Sequence, residues 1–283
     1  MKNNKENSNN TKNKAVSASV NGSANFSRKQ LLFLIQFALL LAIEAIFCFT
    51  PLGSIPIGPV VATLAMIPVI VTGITMGVGA GAAMGFFAGL FSFIVHSFVS
   101  PMPTSFMFTP LVNVIGTDHG NILSLIICFL PRILVGVLPP LFFGIYKKSL
   151  TKKIERIGAG KSQDEAPENE RSLTEEAKKA KASRLNIAHS IAAYGLSGLL
   201  GSLINTAGVL GLFALFFGSY INGSAEALSV FGAKSVGIAI WFTVLTNGIP
   251  EAIVSAIASY AICKPVMRFI QKKDLPSYTP DMF

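Results

Sequence analysis

The run VGIAIWFTVLTNGIPEAIVSAIASYAIC, residues 236–263, carries a single formal charge, Glu251. At 1.5 Å of rise per residue a helix of this length reaches about 40 Å, more than the ~30 Å hydrocarbon core of a bilayer. An apolar helix this long is read as a membrane span. Near its middle stand Asn247, Pro250 and Glu251. A carboxylate at the bilayer centre costs about 2.5–3.5 kcal/mol on insertion scales, so it needs a partner or a polar cavity.

The rest of the chain agrees with that reading. Of 283 residues 51% are hydrophobic and 13% charged, against about 25% charged in soluble domains. Mean hydropathy is +0.58. The apolar residues fall in blocks of span length, and the chain is an integral membrane protein. The opening stretch 1–29 is polar and Asn-rich, with no apolar core of a signal peptide. It is expected to be a disordered cytoplasmic tail. Cys48, Cys128 and Cys263 lie far apart in apolar segments, which suits buried free thiols and no disulfide framework.

Cutting the apolar runs at clusters of Pro, Gly and Asn predicts six helices, at 30–49, 60–77, 80–97, 121–146, 188–218 and 235–263. The fold class expected is all-α, six transmembrane helices in a compact bundle over 30–268. The Pro/Gly stretch TPLGSIPIGP joins the first two helices, and a long, fairly apolar loop follows the third. A charged insertion fills 147–187, and residues 269–283 form a second tail. Basic residues then set the orientation, because loops rich in Lys and Arg stay cytoplasmic. They crowd the N-terminal tail, the insertion (YKKSLTKKIER, EEAKKAKASR) and the C-terminal end, whereas the first, third and fifth loops hold only Lys234. Both termini are expected on the cytoplasmic side. The net charge of +9 therefore reports topology, and no nucleic-acid partner is implied.

Two motifs fail on inspection. IGAGKSQDE ends like a phosphate-binding loop, but the first glycine of that motif would fall at Glu155. GLSG, with Ser197, suits an intramembrane serine nucleophile only with a histidine base on a facing helix. His189 sits on the same helix, and His96 and His119 lie near the outer surface. No catalytic residue, metal site or cofactor is expected.

Gly73, Gly77, Gly81, Gly85 and Gly89 recur every fourth residue, a ridge that permits close backbone approach inside the bundle. Ala38 and Ala42 make a smaller version on the first helix. Full charges within the spans are Glu44, Arg132 and Glu251. Counting from the outer helix ends places Arg132 about 16 Å deep, Asn247 about 18 Å and Asn205 about 20 Å. These three predict the floor of a polar cavity open to the outside. Asn121 shares a face with Arg132, and Glu251 lies one turn below Asn247. Two readings stand for Arg132 and Glu251: an ion pair with each other, or contact with a ligand. Glu44, near the outer end of its helix, is expected to snorkel to water. Phe106 and Phe108 are candidates to cover a ligand from the third loop.

The run PLGSIPIGPVVATLAMIPVIVTGITMGVGAGAAMGFFAGLFSF resembles the substrate-binding S components of energy-coupling factor (ECF) vitamin transporters. So do SPMPTSFMFTP, GNILSLIICFLPRILVGV, GSLINT and TNGIPEAI. The resemblance covers about 30–147 and 188–268 and is greatest to the members assigned to pantothenate. It implies a bacterial plasma-membrane protein without enzymatic activity that binds a small water-soluble vitamin. It implies docking to a transmembrane T component with two ATPase subunits through the A-x-x-x-A pattern, here Ala38 and Ala42. It also implies that the S component topples in the membrane to release its vitamin, with outer loops acting as lids. Pantothenate is a small anion with hydroxyls and an amide; Arg132 suits its carboxylate, and Asn121, Asn205 and Asn247 its polar backbone. The long insertion departs from the short connection usual in the family. The rival reading is a self-sufficient ion-coupled transporter of a small anionic solute. Such proteins often carry repeated halves, and GSLINT and TNGIPEAI have no counterparts in the first three helices.

The orientation is tested by single cysteines in a chain whose three native cysteines are replaced by alanine. Cysteine at Thr104 or Asn222 reacts with an impermeant thiol reagent in whole cells, and cysteine at Ser162 does not. Labelling of Ser162 from outside reverses the topology.

Overall fold

The computed structural model describes residues 30–50, 54–57, 60–158 and 168–272. The expected tail 1–29, the centre of the insertion and the end of the C-terminal tail lie outside them. Helix α1 spans Gln30–Phe49. A hairpin follows, β1 Ser54–Ile57 and β2 Val60–Thr63, antiparallel with Ser54 opposite Thr63 and Ile57 opposite Val60. Then come α2 Met66–Met76 and α3 Val78–Ile94, extended by a π turn at Val95–Val99. A short 3-10 turn, Ser105–Met107, lies in the third loop. Next are α4 Leu123–Gly158, α5 Glu168–Gly223 and α6 Ala225–Val230. The last span is α7 Val236–Thr243, a π turn Val244–Gly248 and α8 Ile249–Lys272.

The six-helix bundle is borne out, and its second helix is shorter than expected. Among the described residues, five segments are long and apolar enough to cross a membrane: Gln30–Phe49, Val78–Val99, Leu123–Ser149, His189–Gly223 and Val236–Arg268. The predicted helix 60–77 begins instead at Met66, because Val60–Thr63 pairs with Ser54–Ile57. Valine and threonine favour an extended backbone, and an apolar run this short reads equally well as strand or helix. What remains is 11 residues long, and every one of them is buried. A helix apolar on all sides sits inside protein, and α2 is enclosed by its neighbours. Helices α4 and α5 also run past the expected boundaries, through 147–158 and 168–187, where Ala, Glu and Lys favour helix.

The glycine ridge positions the centre of the molecule. A methyl group on Gly81 would run into the Gly136 carbonyl, and one on Gly85 into the Arg132 carbonyl. Gly73 faces Pro140 and the Gly136 carbonyl, and Gly89 faces Phe129. Helices α3 and α4 thus meet backbone to backbone, as close approach of small residues allows. Gly77 plays another part: its φ of 96° breaks α2 from α3, a conformation that favours glycine. Helix α5 packs on α4 with Gly208 over Pro131 and Gly201 over Pro139. It runs antiparallel to α8, with Gly198 beside Ser255 and Ser259 and with Thr206 beside Gly248.

Gly81→Ala is expected to cost about 1–3 kcal/mol through overpacking against backbone that cannot rotate away. Gly79→Ala, where an added methyl meets nothing within 4 Å, leaves stability unchanged or slightly raised. Thermal unfolding of the two variants in detergent measures the contrast.

Candidate functional site

Arg132 lies on α4 and is 7% exposed. A side chain on a helix leans toward the N-terminal turn, so its guanidinium reaches back toward the N-terminal end of α4. There Nη1 donates to the Ile127 carbonyl at 3.1 Å and to the Cys128 carbonyl at 2.9 Å. The first acceptor has a local cause. Pro131 has no N–H to give to the carbonyl four residues back, which is that of Ile127. The carbonyl freed by the proline is taken by the arginine beside it. Nη2 donates to Ser92 Oγ on α3 at 3.2 Å. The guanidinium also stands 4.9 Å over the Phe108 ring, a cation–π contact that strengthens where water is excluded. The His96 ring lies against that ring, tilted by 44° with centres 4.5 Å apart, and its Nδ1 donates to the Ser92 carbonyl at 2.8 Å. Arg132 Nε is buried with no hydrogen-bond partner.

Glu44 corrects an expectation. It is fully buried, at 0% exposure, and does not snorkel. Cys48 Sγ donates to its Oε1 at 3.4 Å, and its Oε2 is buried with no hydrogen-bond partner. Position along α1 said where the residue sits in depth but not which way it faces. Ala38 and Ala42 are exposed; two residues beyond Ala42, about 200° round the helix, Glu44 points into the bundle. Among the described residues, the groups hydrogen-bonded to Arg132 are Ile127, Cys128 and Ser92, and Glu251 is not one of them.

The third loop is strapped down rather than open. Phe106 is 0% exposed and packs with Phe213 and Phe217, ring centres 6.4 and 5.4 Å away. Ser124 Oγ donates to the Phe106 carbonyl at 2.5 Å, and Ser97 Oγ donates to Thr109 Oγ1 at 2.7 Å. Phe106 is therefore a core residue, and Phe108 is the aromatic that meets Arg132. Asn121 Oδ1 accepts from the Leu123 N–H at 2.9 Å, occupied at the start of α4.

The remaining candidates gather elsewhere. Asn205, on α5, has a buried Oδ1 with no hydrogen-bond partner. Half-buried Asn247 lies in the π turn, and Glu251, 6% exposed, in the first turn of α8. Strand β2 packs on this same π turn and on α8, bringing the first loop over it. The single polar layer expected from depth alone resolves into two clusters. One ties Arg132 to α3 and the third loop; the other lies between α5 and α8. Ser92 and His96 were missed as neighbours of Arg132. Ser92 and His96 carry no charge to stand out in an apolar run, yet their four-residue spacing places both on one face of α3. An open cleft of about 290 Å³ between α5 and α7, lined by Leu203, Ala207, Leu210, Ala214, Ile240 and Val244, is almost wholly apolar. It offers nothing to an anion.

Comparison with known proteins bears on what these clusters serve. The family model described as "ECF transporter, substrate-specific component" matches residues 32–263. Pantothenic acid transporter PanT of Lactococcus lactis subsp. cremoris (strain MG1363) is 34% identical over 204 residues, 72% of this chain and 76% of that protein. The solved structure of ThiT from Listeria monocytogenes aligns with a TM-score of 0.43 and 16% identity, covering 88% of this chain and 100% of that one.

The capture of backbone carbonyls by Arg132 yields a stability prediction. Arg132→Met leaves the Ile127 carbonyl without a donor and costs roughly 1–3 kcal/mol. Arg132→Lys, which keeps the charge but not the fork of donors, recovers only part of the loss. The midpoints of thermal unfolding in detergent measure the difference.

Proposed function

The chain belongs to the substrate-specific components of ECF transporters, and from that premise we propose that it captures pantothenate outside the cell and delivers it inward. It is a multi-pass protein of the bacterial plasma membrane. The observation that carries the substrate assignment is a buried guanidinium, Arg132, held among neutral groups and an aromatic ring, in a chain 34% identical to a pantothenic acid transporter. Charge-assisted contacts are strong where water is excluded. In this reading Arg132 takes the vitamin's carboxylate, while Asn205, Asn247 and Glu251 take its hydroxyls and amide. Asn121 contributes its free NH₂, Phe108 closes over the guanidinium, and Phe106 anchors the loop that carries Phe108.

Transport in this proposal is driven by partners, a transmembrane T component and two ATPase subunits, and the chain itself catalyses nothing. Both termini face the cytoplasm. The docking surface lies on α1, where Ala38 and Ala42 are exposed between exposed Leu34, Ile35, Leu39 and Ile46. Small side chains amid larger ones let a partner helix come close.

Calorimetry on the purified chain is expected to show one-site binding of pantothenate without ATP. Arg132→Met, set against Arg132→Lys as the charge-keeping control, loses far more than tenfold in affinity. A chain that binds no pantothenate refutes the assignment. Ala38→Leu with Ala42→Leu leaves binding intact and abolishes uptake in cells. Uptake that survives this change, or that proceeds in cells lacking the T component and ATPases, marks an independent transporter instead.

A further inference from the structure

Three spans end together on the side of the bundle where α4 passes to α5. By length and apolar composition they run to Ser149 on α4, from His189 on α5 and to Arg268 on α8. Phe143, Ala193 and Cys263 share one buried cluster just inside these ends, with Tyr146 and Tyr194 packed against it. The Tyr194 ring stacks on Phe143 with centres 4.9 Å apart, and Tyr146 Oη and His189 Nδ1 are hydrogen-bonded at 2.7 Å. Tyr260, Lys264 and Arg268 follow at intervals of four, one face of α8. Lys264 Nζ donates to the Tyr260 hydroxyl and stands 4.6 Å from the ring centre. Tyrosines gather where the hydrocarbon of a bilayer gives way to headgroups, and these three mark that level.

Around it the charge has one sign. Lys147 and Lys148 stand on α4 and Lys264 and Arg268 on α8, with Lys148 and Arg268 exposed. Arg184 and Lys181 follow on α5, outward from His189. No Asp or Glu occurs in 119–154, 177–225 or 252–273. On α5 the acids resume at Glu176 and Glu175, about 20 Å beyond His189. Orientation does not require that exclusion, because it is set by Lys and Arg and takes little account of Asp and Glu. A negatively charged neighbour does require it. Such a surface repels a carboxylate within about one Debye length, roughly 8–10 Å, and is screened from it at twice that distance.

We propose that this end of α4, α5 and α8 is a binding surface for the phosphate headgroups of anionic phospholipids. The three tyrosines set the cations at headgroup depth, where lipid phosphate is the anion always at hand. Exposed Arg268 offers a fork of donors that fits a phosphate, and exposed Lys148 a point charge. Each Lys or Arg close to such a surface favours the anionic lipid by about fivefold. A zwitterionic headgroup, with no net charge, gains little from the same cations. The surface stands apart from the vitamin site and needs neither the pantothenate reading nor the T component.

The test places the full chain in phosphatidylcholine bilayers. Electron paramagnetic resonance then compares the association of spin-labelled phosphatidylglycerol with that of spin-labelled phosphatidylcholine. The wild type is expected to favour phosphatidylglycerol at least about twofold, averaged over its boundary lipids. The preference falls away near about 1 M salt, where the Debye length is about 3 Å. Lys147→Gln, Lys148→Gln, Lys264→Gln and Arg268→Gln together remove most of it, whereas Lys234→Gln, in the fifth loop, leaves it in place. A wild type that takes both lipids equally overturns the surface and leaves the cations to orientation alone. A preference kept by the quadruple variant, or removed by Lys234→Gln, overturns it as well. Should the quadruple variant fail to fold, the salt series on the wild type decides, and a preference unchanged at high salt refutes the proposal.

Discussion

The hydrogen bond from Arg132 to the Ile127 carbonyl is the contact on which the rest of the site depends. A guanidinium buried at membrane depth cannot keep its hydration, and each of its donors left unmet is costly. Proline at 131 supplies the remedy one residue away, by leaving a carbonyl that its own helix cannot use. Ser92 and the Phe108 ring complete the enclosure from α3 and the third loop. The loop is held in turn by Phe106 among the α5 aromatics and by Ser124 beneath its carbonyl. One arginine thus organises α3, α4 and the third loop together.

That arrangement requires α3 and α4 to be close, and glycine is what permits it. Gly85 lies against the backbone of Arg132 itself. A side chain there would push the helices apart and move Ser92 away from the guanidinium. Packing and site are therefore one constraint, and the ridge of glycines belongs to both.

Helix α1 turns two faces. Its outward face carries Ala38 and Ala42 between large exposed apolar residues, while Glu44 is turned inward and buried. Phe37 against Phe87 and Phe49 against Phe91 pack the helix on α3.

Hydropathy and residue period determined the spans, because an apolar helix of about 20 residues has no other stable place than a bilayer. They also determined that Arg132 and the α8 polar group lie deep, and that the glycine ridge packs inside. The direction of each side chain around its helix was decided only by tertiary structure. Depth follows from counting residues, but facing depends on which neighbour each helix meets. So Glu44, expected at water, is buried against Cys48, and Glu251, a candidate ion-pair partner of Arg132, is not among the groups hydrogen-bonded to it. The helix expected over 60–77 gave up Val60–Thr63 to a strand for a related reason. Four apolar residues suit a helix or a strand equally, and only the partner segment Ser54–Ile57 chooses between them.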